Sequence, residues 1–270
     1  MFFTRLISGI ILVLLALLTI IKGGVLLYIT VLALSLIGVF ELYRACKVRG
    51  EQDRTGMFQF GKLEIAGYAG VLLFYAALLL DSPSYELLAV IAALMILMCV
   101  FVFAWPAYRS EQVMACFFAL VYVGVMLSFI YQTRMLPGGK FHVWLVFLCS
   151  WGCDTCAYCV GMLFGKRKMA PELSPKKSVE GAVGGVIGAI VLGIIYAVAT
   201  KGPVLAYGTI CGVGALISMV GDLAASAIKR NVGIKDYGKL IPGHGGVLDR
   251  FDSVIFTAPV IYFLSAILIA

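Results

Sequence analysis

The residues that could do chemistry are concentrated between positions 142 and 252. Asp154 sits inside an otherwise apolar stretch, and Asp222, Ser226 and Lys229 follow at steps of four and three. On a helix such spacing places an acid, a hydroxyl and a cation on one stripe, with Arg230 beside it. A charge at membrane depth costs about 2.5–3.5 kcal/mol on insertion scales and is usually a functional or paired group. Lys235-Asp236-Tyr237-Gly238 comes next, then Pro242-Gly243-His244-Gly245-Gly246, then Asp249-Arg250-Phe251-Asp252. Glycines around His244 allow backbone conformations other residues resist and let amides approach an anion. Asp249 and Asp252 share a face on the first turn of the helix they open. A third polar piece spans 166–181, with Lys166-Arg167-Lys168 and Ser174-Pro175-Lys176-Lys177-Ser178-Val179-Glu180-Gly181. Alone, this piece also reads as a basic loop gripping anionic lipid heads. Carboxylates that could hold Mg²⁺, clustered cations and flexible glycines are together the parts of phosphoryl or nucleotidyl transfer. No Ser-His-Asp set and no Gly-Lys-Ser/Thr phosphate loop is evident. His142 opens an apolar run and reads as interfacial.

The elements that position these groups must be membrane helices. Of 270 residues 62% are hydrophobic and 13% charged, with a mean hydropathy of +1.04. A soluble domain carries roughly 25% charged residues, so lipid is the solvent for most of this chain. Apolar runs lie at 6–21, 25–43, 64–80, 86–105, 112–131, 142–164, 181–200, 203–228 and 253–270. Each approaches the about 20 residues needed to span. The first lacks a small-x-small cleavage site and reads as an uncleaved span. The expectation is an all-α integral membrane protein of about nine spans. Residues 1–140 form about five scaffold spans facing lipid, and 141–270 form a catalytic region with its polar site on the cytoplasmic side.

Alternating nine spans puts 17 of the 21 basic residues on one side and 4 (Lys22, Arg134, Lys140, Lys201) on the other. The positive-inside rule makes the basic side cytoplasmic, with the N-terminus in and the C-terminus out. This asymmetry accounts for most of the formal charge of +7, so no nucleic-acid partner is needed to explain it. Glu41, Glu64 and Glu86 fall at span ends, where solvated or snorkelling carboxylates are expected. Cys153, Cys156 and Cys159 form C-x-x-C-x-x-C, but steps of three drift along a helix and no histidine is near, so they read as packing.

The run Ser226-Ala227-Ile228-Lys229-Arg230, then Lys235-Asp236-Tyr237-Gly238, then Ile241 to Asp252 closely resembles the signature of the phosphatidate cytidylyltransferase (CDP-diacylglycerol synthase) family. Asp154 to Gly165 resembles that family's D-x-x-A-Y-x-x-G-x-x-F-G stretch. Ala170-Pro171 with Ser174 to Gly181 resembles its A-P and S-P-K-K-T-x-E-G stretch. Cys156 stands where glycine is usual and Ser178 where threonine is usual. The resemblance covers roughly residues 142–252.

It implies transfer of a cytidylyl group from CTP to phosphatidate with Mg²⁺, in a multi-pass protein of the cell membrane whose site faces the cytoplasm. A second cation and a homodimer are left open. Asp222 and Asp249 are the first candidates for metal ligands, with Asp154 and Asp252 next. Lys176, Lys177, Lys229, Arg230, Lys235 and Arg250 are candidates for phosphate contacts. Asp236 belongs to the same candidate catalytic set. Tyr158, Ser178, Ser226, His244, Gly245 and Gly246 would shape the phosphate pocket. Two alternatives stand beside this: a cytidylyltransferase for another lipid phosphate, and an ion-coupled transporter relaying through Asp154 and Asp222.

Overall fold

A computed structural model describes residues 2–49, 61–240 and 245–269, and the side chains of all of these except residues 2–8 and 10–12. Among them the nine apolar runs become nine helices. These are α1 (Phe2–Lys22), α2 (Gly24–Ala45), α3 (Lys62–Leu78), α4 (Pro83–Phe103), α5 (Ser110–Met135), α6 (Gly139–Phe164), α7 (Val179–Thr200), α8 (Val204–Asn231) and α9 (Leu248–Leu268). Seven of them, α2 and α4 to α9, are long and apolar enough to cross a bilayer. Helix α3 has 17 residues, about 25 Å at 1.5 Å per residue against a hydrocarbon core of about 30 Å. Helix α1 has 21 residues, of which Val13–Lys22 form an apolar stretch among the fully described ones. Length and composition therefore fit a multi-pass helical membrane protein, with seven helices long and apolar enough to cross a bilayer.

Hydrogen bonds sort the loops into two ends. At one end Gln112 donates to Val48 O (2.9 Å), Arg49 pairs with Glu64 (3.3 Å) and Arg44 donates to Tyr237 O (2.9 Å). At the other, Arg134 donates to Ile20 O (3.2 Å) and the Tyr196 hydroxyl to Phe141 O (3.0 Å). The first end joins loops from the basic side of the charge count and the second joins loops from the sparse side. Helices α3 and α4 form an antiparallel pair; α8 packs between α7 and α9, and α9 also packs on the second half of α5. Leu42, Phe74, Leu120, Leu127, Val146 and Ile255 are buried between them. Leu87, Met95 and Val102 of α4 and Ile195 and Val198 of α7 are exposed, as suits faces solvated by acyl chains.

Two features bear directly on the site. Helices α6 and α7 cross so closely that a Cβ on Gly181 would lie 2.8 Å from Ala157 O. Cys156 fits this crossing because its Sγ lies against Gly188, where an added Cβ would stand 2.5 Å away. Both helices α5 and α6 contain a wide π turn, at Leu120–Val125 and Leu148–Gly152, the second ending two residues before Asp154. Residues 166–178 depart from the expected loop. They form an antiparallel hairpin, β1 (Lys168–Ala170) with β2 (Ser174–Ser178), in which Lys168 faces Ser178 and Ala170 faces Ser174. Glu180 closes it by accepting from the Lys166 and Arg167 amides.

Three expectations are corrected. Glu64 is buried rather than solvated, because it accepts from the Gly61 amide (2.8 Å) at the start of α3 and pairs with Arg49. Glu41 is also buried, for reasons given below. His142 is buried edge-on to Tyr207 instead of interfacial.

Candidate active site

Two cavities share Asp154 as a common wall. The first, about 390 Å³, lies between α6, the hairpin, α7 and α8, and takes in Tyr158, Lys176, Lys177, Ser178 and Asp222. The second, about 310 Å³, lies between α1, α6 and α9 and takes in Trp151, Asp249, Arg250, Asp252 and Ser253.

Each cavity is served by a lysine–carboxylate pair. Lys177 at the end of β2 forms an ion pair with Asp222 of α8, both side chains about a quarter exposed. Asp222 is the carboxylate neighbour of both Asp154 and Asp252. Asp154 accepts a long hydrogen bond from the Ser253 hydroxyl (3.5 Å), and Asp252 accepts from the Ser253 amide (2.9 Å). Asp154 thus lines the first cavity with Lys177 and Asp222, and the second with Asp252. The hard oxygens of these carboxylates fit Mg²⁺, which binds one or two protein carboxylates and completes its shell with water and substrate phosphate. Among the described residues no group of three or more His, Cys, Asp or Glu is arranged to hold a metal ion by itself.

The second pair is closed. Lys229 donates to Asp249 Oδ1 (2.9 Å), with the Lys side chain 12% and the Asp side chain 3% exposed. Asp249 Oδ2 accepts the Tyr237 and Gly246 amides at 2.8 and 2.9 Å. The Lys229 ammonium also lies 5.3 Å from the centre of the Tyr237 ring, a cation–π distance. Burial pushes the Tyr237 phenol far above its usual range, so it stays neutral and donates to Ala225 O (3.1 Å). Gly245 takes a left-handed φ of 89° on the approach to α9, which only glycine adopts without strain.

Glu41 of α2 was missed by reading the sequence. It is 3% exposed and accepts the Val247 amide on Oε1 (3.0 Å) and the Leu248 amide on Oε2 (2.9 Å). A side chain at Gly238 or Gly246 would collide with that carboxylate. The amides of residues 246–248 at the start of α9 are therefore taken by Asp249 and Glu41. The positive helix end, usually an anion site, is spent within the protein. Only the partner, 206 residues away in the chain, distinguishes Glu41 from an ordinary span-end glutamate.

The other candidates sort plainly. Ser178 caps α7 by accepting the Gly181 amide (3.1 Å) and also lines the first cavity. Ser226 is half-buried one turn after Asp222. Arg230, Lys235 and Asp236 are exposed and line neither cavity. Arg250 is exposed at the second cavity, its carbonyl accepting from Trp151 Nε1 (3.4 Å). His244 lies outside the described residues.

The site is that of a polytopic helical membrane protein in which carboxylates at the basic end are matched with lysines, groups suited to phosphorylated ligands. Comparison of the whole chain makes this specific. Residues 3–268 match the model of the cytidylyltransferase family, and the chain belongs to that family of nucleotidyltransferases. It is 30% identical over 274 residues to a phosphatidate cytidylyltransferase of Bacillus subtilis, covering 97% of each chain. It is 32% identical over 268 residues to one of Staphylococcus saprophyticus, covering 96% of this chain and 97% of the relative.

Proposed function

We propose that the protein transfers the cytidylyl group of CTP to phosphatidate, giving CDP-diacylglycerol and pyrophosphate. The observation that carries this is the Lys177–Asp222 pair at the wall of a cavity that Asp154 also lines, with Asp252 across Asp154 in the adjoining cavity. A phosphomonoester's second pKa is about 6, so the phosphate of phosphatidate is already an anionic nucleophile near neutral pH. Its oxygen forms a bond to the α-phosphorus of CTP as the bond to the β-phosphate oxygen breaks, and pyrophosphate carries the electron pair away. Neither a protein base nor a protein acid is required. The barrier is repulsion between two polyanions, which fixed positive charge lowers.

Lys176 and Lys177 meet the triphosphate from the hairpin, and Arg250 meets phosphate at the second cavity. Asp222, Asp154 and Asp252 would hold Mg²⁺, which when bound neutralises the triphosphate and its leaving group. Asp249, whose oxygens already serve Lys229 and two amides, orients Lys229 and the start of α9. The same reading places the site on the cytoplasmic face of the cell membrane, since 17 of 21 basic residues share its side. It also counts α1 and α3 as the eighth and ninth spans.

The test uses purified protein in detergent–lipid micelles with CTP labelled in its α-phosphate, phosphatidate and Mg²⁺, with Asp222→Asn as control. Label should enter the lipid phase with release of pyrophosphate, only with Mg²⁺ present and only in the wild type. Transfer to another lipid phosphate but not phosphatidate would move the substrate. Folded protein that transfers to no lipid phosphate would end the reading.

A further inference from the structure

We infer that Glu41 and Arg44 of α2 are positioning residues that hold Tyr237 and the start of α9 in register from outside them. This rests on the function proposed above. The two residues stand at i, i+3 on the last turns of α2, so they share a face, and both reach residues of the 237–248 segment. Arg44 Nη2 donates to Tyr237 O (2.9 Å), while Glu41 receives the Val247 and Leu248 amides (3.0 and 2.9 Å).

These three bonds grip the loop at both arms. The gripped residues touch Asp249 in turn, because the Tyr237 amide and the Gly246 amide, next to Val247, are its two backbone donors. A chain of contacts therefore runs from α2 through 237 and 246–248 to Asp249, and from there to Lys229. Asp252 follows on the same first turns of α9. Moving the start of α9 would shift Asp249, Arg250 and Asp252 as a set.

The carboxylate is needed, and not only a polar group of that size. Two amide N–H groups converge on its two oxygens, and Gly238 and Gly246 leave no room beside them. A glutamine in its place offers one acceptor and turns an NH₂ towards the other amide. An unmade bond to a buried donor loosens the segment, and misplacement of about 1 Å at a reacting centre costs on the order of 10²-fold.

Glu41→Gln, Glu41→Asp and Arg44→Gln are compared with wild type by two readouts. Hydrogen exchange needs no turnover: in Glu41→Gln, amides of 237–249 should exchange faster while peptides from 83–103 in α4 stay unchanged. Kinetics should show kcat lowered about tenfold or more, with KM for CTP changed less than about twofold. Glu41→Asp, which keeps both oxygens, should regain part of kcat. Unchanged exchange in 237–249 for both Glu41→Gln and Arg44→Gln would overturn the inference whatever the enzyme's substrate. So would kcat within about twofold of wild type in both variants. If Glu41→Gln does not fold, Arg44→Gln decides by the same two readouts. Faster exchange with no cytidylyl transfer in wild type would sustain the bracing of the loop and instead sink the proposed reaction.

Discussion

Lys177–Asp222 and Lys229–Asp249 are chemically the same pair placed in different surroundings. In the first, both side chains are about a quarter exposed and they meet at the wall of a cavity, with two further carboxylates near. In the second, the lysine is 12% and the aspartate 3% exposed, and the aspartate's remaining oxygen holds two loop amides. The first pair faces a cavity from which a phosphate or a metal ion could reach the carboxylate, although the Lys177 nitrogen itself is shielded from solvent. A closed pair pays heavily for losing a partner, since a buried charge is left unmatched. On the function proposed above, the difference assigns one pair to substrate and the other to bracing the start of the helix that carries Asp249, Arg250 and Asp252.

Exchanging the acids separates the two most sharply. Asp222→Asn should lower kcat by about 10²–10³-fold, the usual cost of one preorganised electrostatic group, with almost no change in the detergent melting temperature. Asp249→Asn should instead cost about 3–5 kcal/mol of stability, as for other buried pairs broken on one side, visible as a clear drop in that melting temperature. If Asp249→Asn kept its melting temperature yet lost all Mg²⁺-dependent turnover, the contrast would fail and Asp249 would join the metal set. On the cation side, Lys177→Gln should raise KM for CTP about tenfold, or about 1.4 kcal/mol of binding, leaving kcat and stability nearly untouched. The smallest effect is expected from salt. Raising it from about 0.05 to 0.5 M shortens the screening length well below 10 Å. KM for CTP should therefore rise by a few-fold, while the melting temperature, which reflects the closed pair, should hold.

Much of this protein was legible before any coordinates. The nine helices were legible because lipid demands a long apolar run wherever backbone must be satisfied internally. The stripe of Asp222, Ser226 and Lys229 was legible because 3.6 residues per turn is a property of the helix alone. Asp154 and Asp222 were visible as charges in places where charge is costly, and Lys176, Lys177, Asp249 and Asp252 by their match to the family's motifs. The hairpin at 168–178 was less so. Its residues read equally as a basic loop, and the pairing of Lys168 with Ser178 depends on the tight crossing of α6 and α7 beneath it.

Residue types and local spacing thus determined the solvent, the helices, the basic end and the set of groups available for phosphate chemistry. Only the tertiary structure decided how those groups divide: Asp222 to an open cavity, Asp249 to a closed brace, Arg230, Lys235 and Asp236 to the exposed surface. It also decided that Glu41, chemically indistinguishable in the sequence from Glu86, would hold the start of α9 from 206 residues away. The physical reason is that a carboxylate's role is set by which donors reach its oxygens and how much water is excluded. Both are properties of helices meeting in space, and neither is written in the spacing along one of them.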